Sequence, residues 1–263
     1  MYTRPTAPRS IGGVIDDAIK LYRASFRAVL VPAIVGAVLA AMVGVWMQLR
    51  LPDVASRADF AAMLAAFGTP GFKVANLALM LISIWMGIAI TGAVLRVSHG
   101  DSPTVGDTLG SSLRMFPAAL LGSILLGLGV CVGLVLLVIP GLYLMGRWMC
   151  FGTALMDERG SGVQALGRSW RLTQGHWWRS VAVLSVACLL IFVVTMIGSM
   201  LIGIAMAIAR ADRTTLMVVT VIVQGILRVL MAAAAPAALV AIYLDLSLRR
   251  EGGDLAARVE KLA

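Results

Sequence analysis

The feature that most constrains the fold is an apolar run too long for a single membrane crossing. Residues 115–146 contain no Asp, Glu, Lys or Arg, and beyond Arg147 the uncharged sequence continues to Met156. A helix rises about 1.5 Å per residue, so residues 115–156 would reach roughly 63 Å, about twice the thickness of the hydrocarbon layer. The segment must therefore turn back. We predict the turn at Ile139-Pro140-Gly141, because proline suits the first turn of a new helix.

Further apolar runs predict a chain that crosses a membrane repeatedly. The sequence is 60% apolar and only 13% charged, whereas soluble domains have about 25% charged residues. Lipid offers backbone groups no hydrogen-bond partner, so helices are expected. The sequence predicts an all-α, polytopic integral membrane protein with a single membrane domain over 1–263 and six transmembrane helices. These lie in the segments 28–49, 74–95, 117–138, 141–156, 180–209 and 214–244.

The distribution of basic residues predicts the orientation. With six crossings both termini lie on one side of the membrane. Fifteen Lys and Arg residues fall in the N-terminal segment, the loops 96–114 and 157–179, and the tail at 249–263, against five in the opposite loops. Basic loops stay in the cytoplasm, so we expect a bacterial inner-membrane protein with both termini cytoplasmic. This basic collar would face anionic lipid headgroups, and nucleic-acid binding is not expected.

Three similar segments, 10–21, 104–115 and 161–172, precede the outward crossings. Shared apolar positions spaced by four residues place one apolar face on a helix, and such a helix lies in the plane of the headgroups. We interpret the chain as three units, about 10–96, 103–157 and 160–248, each an interfacial helix followed by a transmembrane hairpin. The alternative is that unrelated amphipathic linkers look alike. The aligned positions are Ile15, Leu109 and Leu166; Ile19, Leu113 and Trp170; and Lys20, Arg114 and Arg171.

From residue 139 onward the chain carries a recognisable set of motifs. They read IPGLY at 139–143, RW at 147–148, ALGRSWRLT at 165–173, GHWW at 175–178 and YLDLSLRREG at 243–252. This pattern resembles the bacterial family named for the membrane domain of glycerophosphoryl diester phosphodiesterase and its uncharacterised inner-membrane relatives. Ser247 departs from the pattern, which usually has arginine there.

The resemblance implies a membrane module rather than a phosphodiesterase. In longer family members a separate soluble domain performs the hydrolysis, which needs histidines and carboxylates around a metal. Here His99 and His176 are the only histidines, and both fall in predicted inner loops. We therefore expect no enzyme activity, no catalytic residues, no metal and no cofactor.

Arg147 and Arg228 are the two basic residues inside predicted crossings. An arginine at the centre of a span costs about 2.5 to 3.5 kcal/mol on insertion scales. One interpretation is that both reach the outer surface as anchors. The other is that they contact a headgroup or a small anion, which guanidinium binds in bidentate fashion.

A second set of candidates lies on the inner face. Asp245 follows the last apolar run and is placed to pair with Arg171 or Arg249, which would lock the third interfacial helix to the last crossing. Glu158 and Arg168 belong to the same collar.

Two functional hypotheses follow. The first is a non-catalytic module that binds lipids or assists membrane assembly, with anionic lipids as partners and a protein partner or homo-oligomer as an addition. The second is a transporter or flippase of a small or lipid-like anion, with Arg147 and Arg228 in the path.

Overall fold

The computed structural model describes residues 2–51, 57–208 and 212–262, and within these ranges the chain is helical with no strand. The helices run in the order α1 Ile11–Gln48, α2 Arg57–Gly68, α3 Pro70–Ser98, α4 Val105–Leu136, α5 Val138–Arg147, α6 Phe151–Glu158, α7 Gly162–Thr173, α8 Trp177–Ile208, α9 Arg213–Met231 and α10 Ala234–Leu262.

Five stretches in the described part of the chain are long and apolar enough to cross a membrane. They are Ile11–Gln48, Pro70–Ser98, Val105–Leu136, Trp177–Met206 and Val218–Arg250. Large apolar side chains cover their outer surfaces: on α8, Leu189 and Phe192 are each 60% exposed. A contiguous apolar exterior of this kind is unfavourable in water and fits a multi-pass membrane protein.

The predicted fourth crossing is not one helix. α4 ends at Leu136, and the turn lies at Leu137, slightly before the predicted position. Pro140 occupies the first turn of α5, as expected. The helical path then stops at Arg147 and resumes at Phe151. Hydrogen bonds from α7 compensate this break, because Ser169 and Thr173 donate to the Arg147 carbonyl at 2.9 and 3.2 Å and the Cys150 N–H donates to Ser169 at 3.2 Å.

The predicted last crossing, 214–244, also consists of two helices. α9 ends at Met231 and α10 begins at Ala234. Pro236 lies just after this break and has no N–H to donate to the carbonyl four residues earlier, which disfavours a continuous helix. Ten of the eleven residues from Ala237 to Ser247 of α10 are buried, and Val240, Tyr243 and Leu244 are each at most 2% exposed.

The three amphipathic segments begin in the same way. Ser10, Thr104 and Ser161 are N-caps whose hydroxyls each accept the backbone N–H three residues later. Only the third segment forms a separate helix, α7, because Gly175 turns the chain with φ +83° before α8. The first two form the first turns of the long helices α1 and α4, so a separate interfacial helix in these two units is not confirmed. Their sequences place no comparable turn before the apolar run.

Glycine allows the closest helix contacts. A Cβ on Gly133 would lie 2.8 Å from Gly141 Cα, so α5 packs directly on α4. A Cβ on Gly162 would lie 2.3 Å from the Ala118 carbonyl oxygen, so the first turn of α7 touches the α4 backbone. These contacts fix α5, which carries Arg147, and α7, which carries Arg168 and Arg171, against one face of α4.

Candidate functional site

Asp245 is the centre of a polar cluster at one end of the bundle. Its side chain is 6% exposed and lies 2.9 Å from Arg249 Nε and 3.2 Å from Arg179 Nη2. The backbone N–H of Arg9 donates to its other oxygen at 2.8 Å. Three segments far apart in sequence therefore meet on one carboxylate, which we call the Asp245 cluster (Arg9, Arg179, Asp245, Arg249).

The segment before α1 completes this cluster. The Arg9 carbonyl accepts hydrogen bonds from the guanidiniums of Arg179 and Arg249, the latter at 2.6 Å. The Arg9 side chain pairs with Asp17 at 3.2 Å. Tyr2 packs against the same core, and burial, followed by the nearby Asp17 carboxylate, raises the pKa of its hydroxyl to about 12. The residues before the first helix are thus part of the folded bundle.

The partners of Asp245 differ in part from those expected. Arg249, one of the two predicted partners, does pair with Asp245. Arg171, the other, does not pair with Asp245, and only its backbone carbonyl takes part in this region by accepting a hydrogen bond from the Arg250 guanidinium. Asp245 therefore joins α10 to the start of α8 and to the N-terminal segment, and not to α7. Sequence analysis missed Arg9 and Arg179. The only sequence feature that pointed to Arg179 was its position directly after the GHWW motif.

Two further polar contacts tie α6 to its neighbours near the same end. Glu158 pairs with Arg168 of α7 at 2.9 Å, and the Tyr243 hydroxyl of α10 donates to Asp157 at 2.6 Å. The ion pair between Glu158 and Arg168 thus holds the end of α6 against α7.

Arg147 packs against two aromatic rings at the end of α5. Its guanidinium carbon is 5.0 Å from the ring centres of Tyr143 and Trp170, and its Nε and Nη2 donate to the Tyr143 hydroxyl at 2.8 and 2.5 Å. Its Nη1 is buried and, among the described residues, has no hydrogen-bond partner. The neighbours of Arg147 thus come from α5 itself and from α7.

Arg228 lies in a different place. It lines a groove of about 390 Å³ between α8 and α9, together with Thr195, Ser199 and Gln224. Arg147 is not among the residues that line this groove. The structure therefore does not bring the two arginines together, and a shared path through both stays a prediction.

In the described part of the chain, no three His, Cys, Asp or Glu side chains are grouped so that they could hold a metal ion. Comparison of the chain with protein-family models, with curated proteins and with solved structures gave no match.

Proposed function

We propose that this chain is a non-catalytic protein of a bacterial inner membrane that binds anionic lipid headgroups through a basic collar at one end of its helix bundle. The observation that carries the proposal is the combination of an apolar exterior with exposed cations on the segments that the positive-inside rule assigns to the cytoplasm. Those cations include Lys20, Arg23, Arg27, Arg114, Arg159 and Arg171. Cations near a membrane surface attract anionic lipid by about 1 kcal/mol each.

The proposal includes six crossings, of which the fourth, formed by residues 138–158, is discontinuous. Residues 138–158 are enough to cross about 30 Å of hydrocarbon at 1.5 Å per residue. A helix break at membrane depth is tolerated where protein satisfies the backbone, and Ser169 and Thr173 do so here. The contact of Arg9 with Asp245 also supports an even number of crossings between them.

The threefold repeat supports the same topology. The three N-caps share one geometry, and the aligned positions Val14, Thr108 and Ala165 are each 2% exposed. Repeats of the same orientation place three equivalent segments on one membrane face, which concentrates basic residues there. The resemblance to the phosphodiesterase membrane-domain family fits a module of this kind, without hydrolytic activity.

Reporter fusions test the topology. Alkaline phosphatase joined after residue 137 should be active, because that site is expected outside the cell, whereas fusions after residues 160 and 263 should be inactive. Green fluorescent protein should give the opposite pattern. Phosphatase activity after residue 160 would mean that residues 138–158 do not cross, and activity after residue 263 would overturn the orientation.

Charge reversal tests the lipid-binding function. The double variant Arg23→Glu/Arg171→Glu should lower the enrichment of phosphatidylglycerol over phosphatidylcholine around the purified chain at least about tenfold, because each reversal removes one attraction and adds one repulsion. Mass spectrometry of lipid co-purified from mixed nanodiscs measures the enrichment.

The matched control is Arg50→Glu/Lys73→Glu, which makes the same change in charge near the opposite ends of α1 and α3. We expect a smaller effect from this control, because only five Lys and Arg residues lie in the opposite loops, against fifteen in the collar, and that surface therefore holds less anionic lipid to lose. Equal effects of both double variants, or no effect of either, would contradict a collar at one end.

A further inference from the structure

A polar cleft opens between the end of α3, the start of α4 and the end of α6. Its volume is about 550 Å³, within the range of small-molecule sites. Asp157, on its wall, accepts the hydrogen bond of Tyr243, which lies two residues from Asp245. The cleft is therefore at the end of the bundle that carries the basic collar.

The cleft is lined by equal numbers of arginines and aspartates that do not form ion pairs with one another. Three arginines and three aspartates line it, and no ion pair joins them in the described part of the chain. The Asp245 cluster contrasts with this, since there each guanidinium lies against the carboxylate. The six residues are Arg96, Arg114, Arg159, Asp101, Asp107 and Asp157.

Not all of these groups are equally available. Asp107 accepts from Thr104 at 2.7 Å, and Asp157 accepts from Tyr243. The side chains of Asp101, Arg96, Arg114 and Arg159 make no hydrogen bond or ion pair with other described residues. Three guanidiniums and one carboxylate therefore line the cleft with their hydrogen-bonding capacity unused, and Arg114 and Arg159 are the two exposed guanidiniums.

The most buried part of the lining is apolar. Gly92, Leu95 and Met156 are buried and Met115 is half-buried, whereas the three aspartates, Arg114 and Arg159 are exposed. A ligand that fits both parts has a charged head and a less polar continuation.

We propose that this cleft binds a phosphoethanolamine group, with the phosphate on Arg114 and Arg159 and the primary ammonium on Asp101. Guanidinium pairs with phosphate oxygens in bidentate geometry, and a carboxylate accepts hydrogen bonds from an ammonium. The balanced charge of the lining gives no advantage to a purely anionic ligand. This inference deepens the proposed lipid-binding function and rests on it, but it concerns a zwitterionic lipid and a defined site.

Lipid titrations of the delipidated full chain in detergent, followed by native mass spectrometry, test the site. Phosphatidylethanolamine should bind more tightly than phosphatidylcholine, whose quaternary ammonium cannot donate a hydrogen bond. The double variant Arg114→Gln/Arg159→Gln should raise the Kd for phosphatidylethanolamine about tenfold or more, since hydrogen bonds to charged groups are the strong ones. Asp101→Asn, at an exposed position without side-chain contacts, should fold normally and abolish the preference over phosphatidylcholine.

The control is Arg23→Gln/Arg27→Gln, which removes two collar charges outside the cleft. It should lower phosphatidylglycerol enrichment and leave the phosphatidylethanolamine Kd unchanged. Lipid binding by the collar and lipid binding by the cleft are therefore tested independently. Soluble glycerophosphoethanolamine tests whether the phosphoethanolamine group comes from a soluble molecule or from a membrane lipid. If it competes with phosphatidylethanolamine, the free headgroup is sufficient for binding. If it does not compete, the ligand is a membrane lipid. Equal Kd values for the two zwitterionic lipids, or for wild type and the cleft variants, would overturn the proposal.

Discussion

Replacement of Asp245 by asparagine should lower the free energy of unfolding by roughly 3 kcal/mol, because removal of one charge from a buried ion pair leaves its partners uncompensated. Asp245 has a side chain 6% exposed, and its partners Arg179 and Arg249 are 22% and 25% exposed. The loss of the negative charge would leave two mostly buried guanidiniums without a carboxylate. Unfolding by SDS in mixed micelles, followed by circular dichroism, measures the change.

Asp16→Asn is the matched control for this substitution. Asp16 pairs with Lys20 at 2.5 Å, but both side chains are more than half exposed, and such surface pairs contribute about 0.3–0.5 kcal/mol on a helix. A variant that removes Arg179 together with the Asp245 charge should regain part of the lost stability. If Asp245→Asn costs no more than Asp16→Asn, the Asp245 cluster does not stabilise the bundle.

Gly162→Ala should destabilise the protein by about 3 kcal/mol, since overpacking against rigid neighbours costs this much. The new Cβ would lie 2.3 Å from the Ala118 carbonyl oxygen and 2.8 Å from the Gly122 nitrogen. Both are backbone atoms of α4 and cannot rotate away as a side chain does. The first turn of α7 would therefore have to move off α4, and SDS unfolding should report the loss.

Gly167→Ala on the same helix provides the comparison. A Cβ there meets nothing within 4 Å, and alanine favours helix over glycine by up to about 1 kcal/mol. We expect this variant to be neutral or slightly more stable. Similar losses for the two variants would show that α7 tolerates no change of sequence, and that the contact with α4 is not the cause.

The sequence predicted the features that depend on local chemistry. Run lengths and charges located the long helices, and Pro140 indicated the reversal after α4. The break after Arg147 was not predictable, because it contains neither proline nor glycine and depends on Ser169 and Thr173 some twenty residues later.

For the candidate residues, too, the sequence predicted local contacts and missed those that depend on the tertiary fold. Asp245 was predicted to pair with Arg171 or Arg249 at the inner end of the last crossing, and Arg249, four residues later on the same helix, follows from helical spacing. Arg9 and Arg179 reach it only through the tertiary fold, 236 and 66 residues away. Arg147 was predicted to lie inside the fourth crossing, and its two aromatic neighbours include Trp170, which only the packing of α7 brings close.

The meeting of Arg9 with Asp245 and Arg249 has a consequence for biogenesis. Arg9 is synthesised 236 residues before the carboxylate that accepts its N–H. Until α10 has been made, Arg9 and Arg179 lack this acceptor, so the Asp245 cluster can form only after every helix from α1 to α9 has been synthesised. Formation of this contact therefore reports that the two ends of the bundle's chain path have come together.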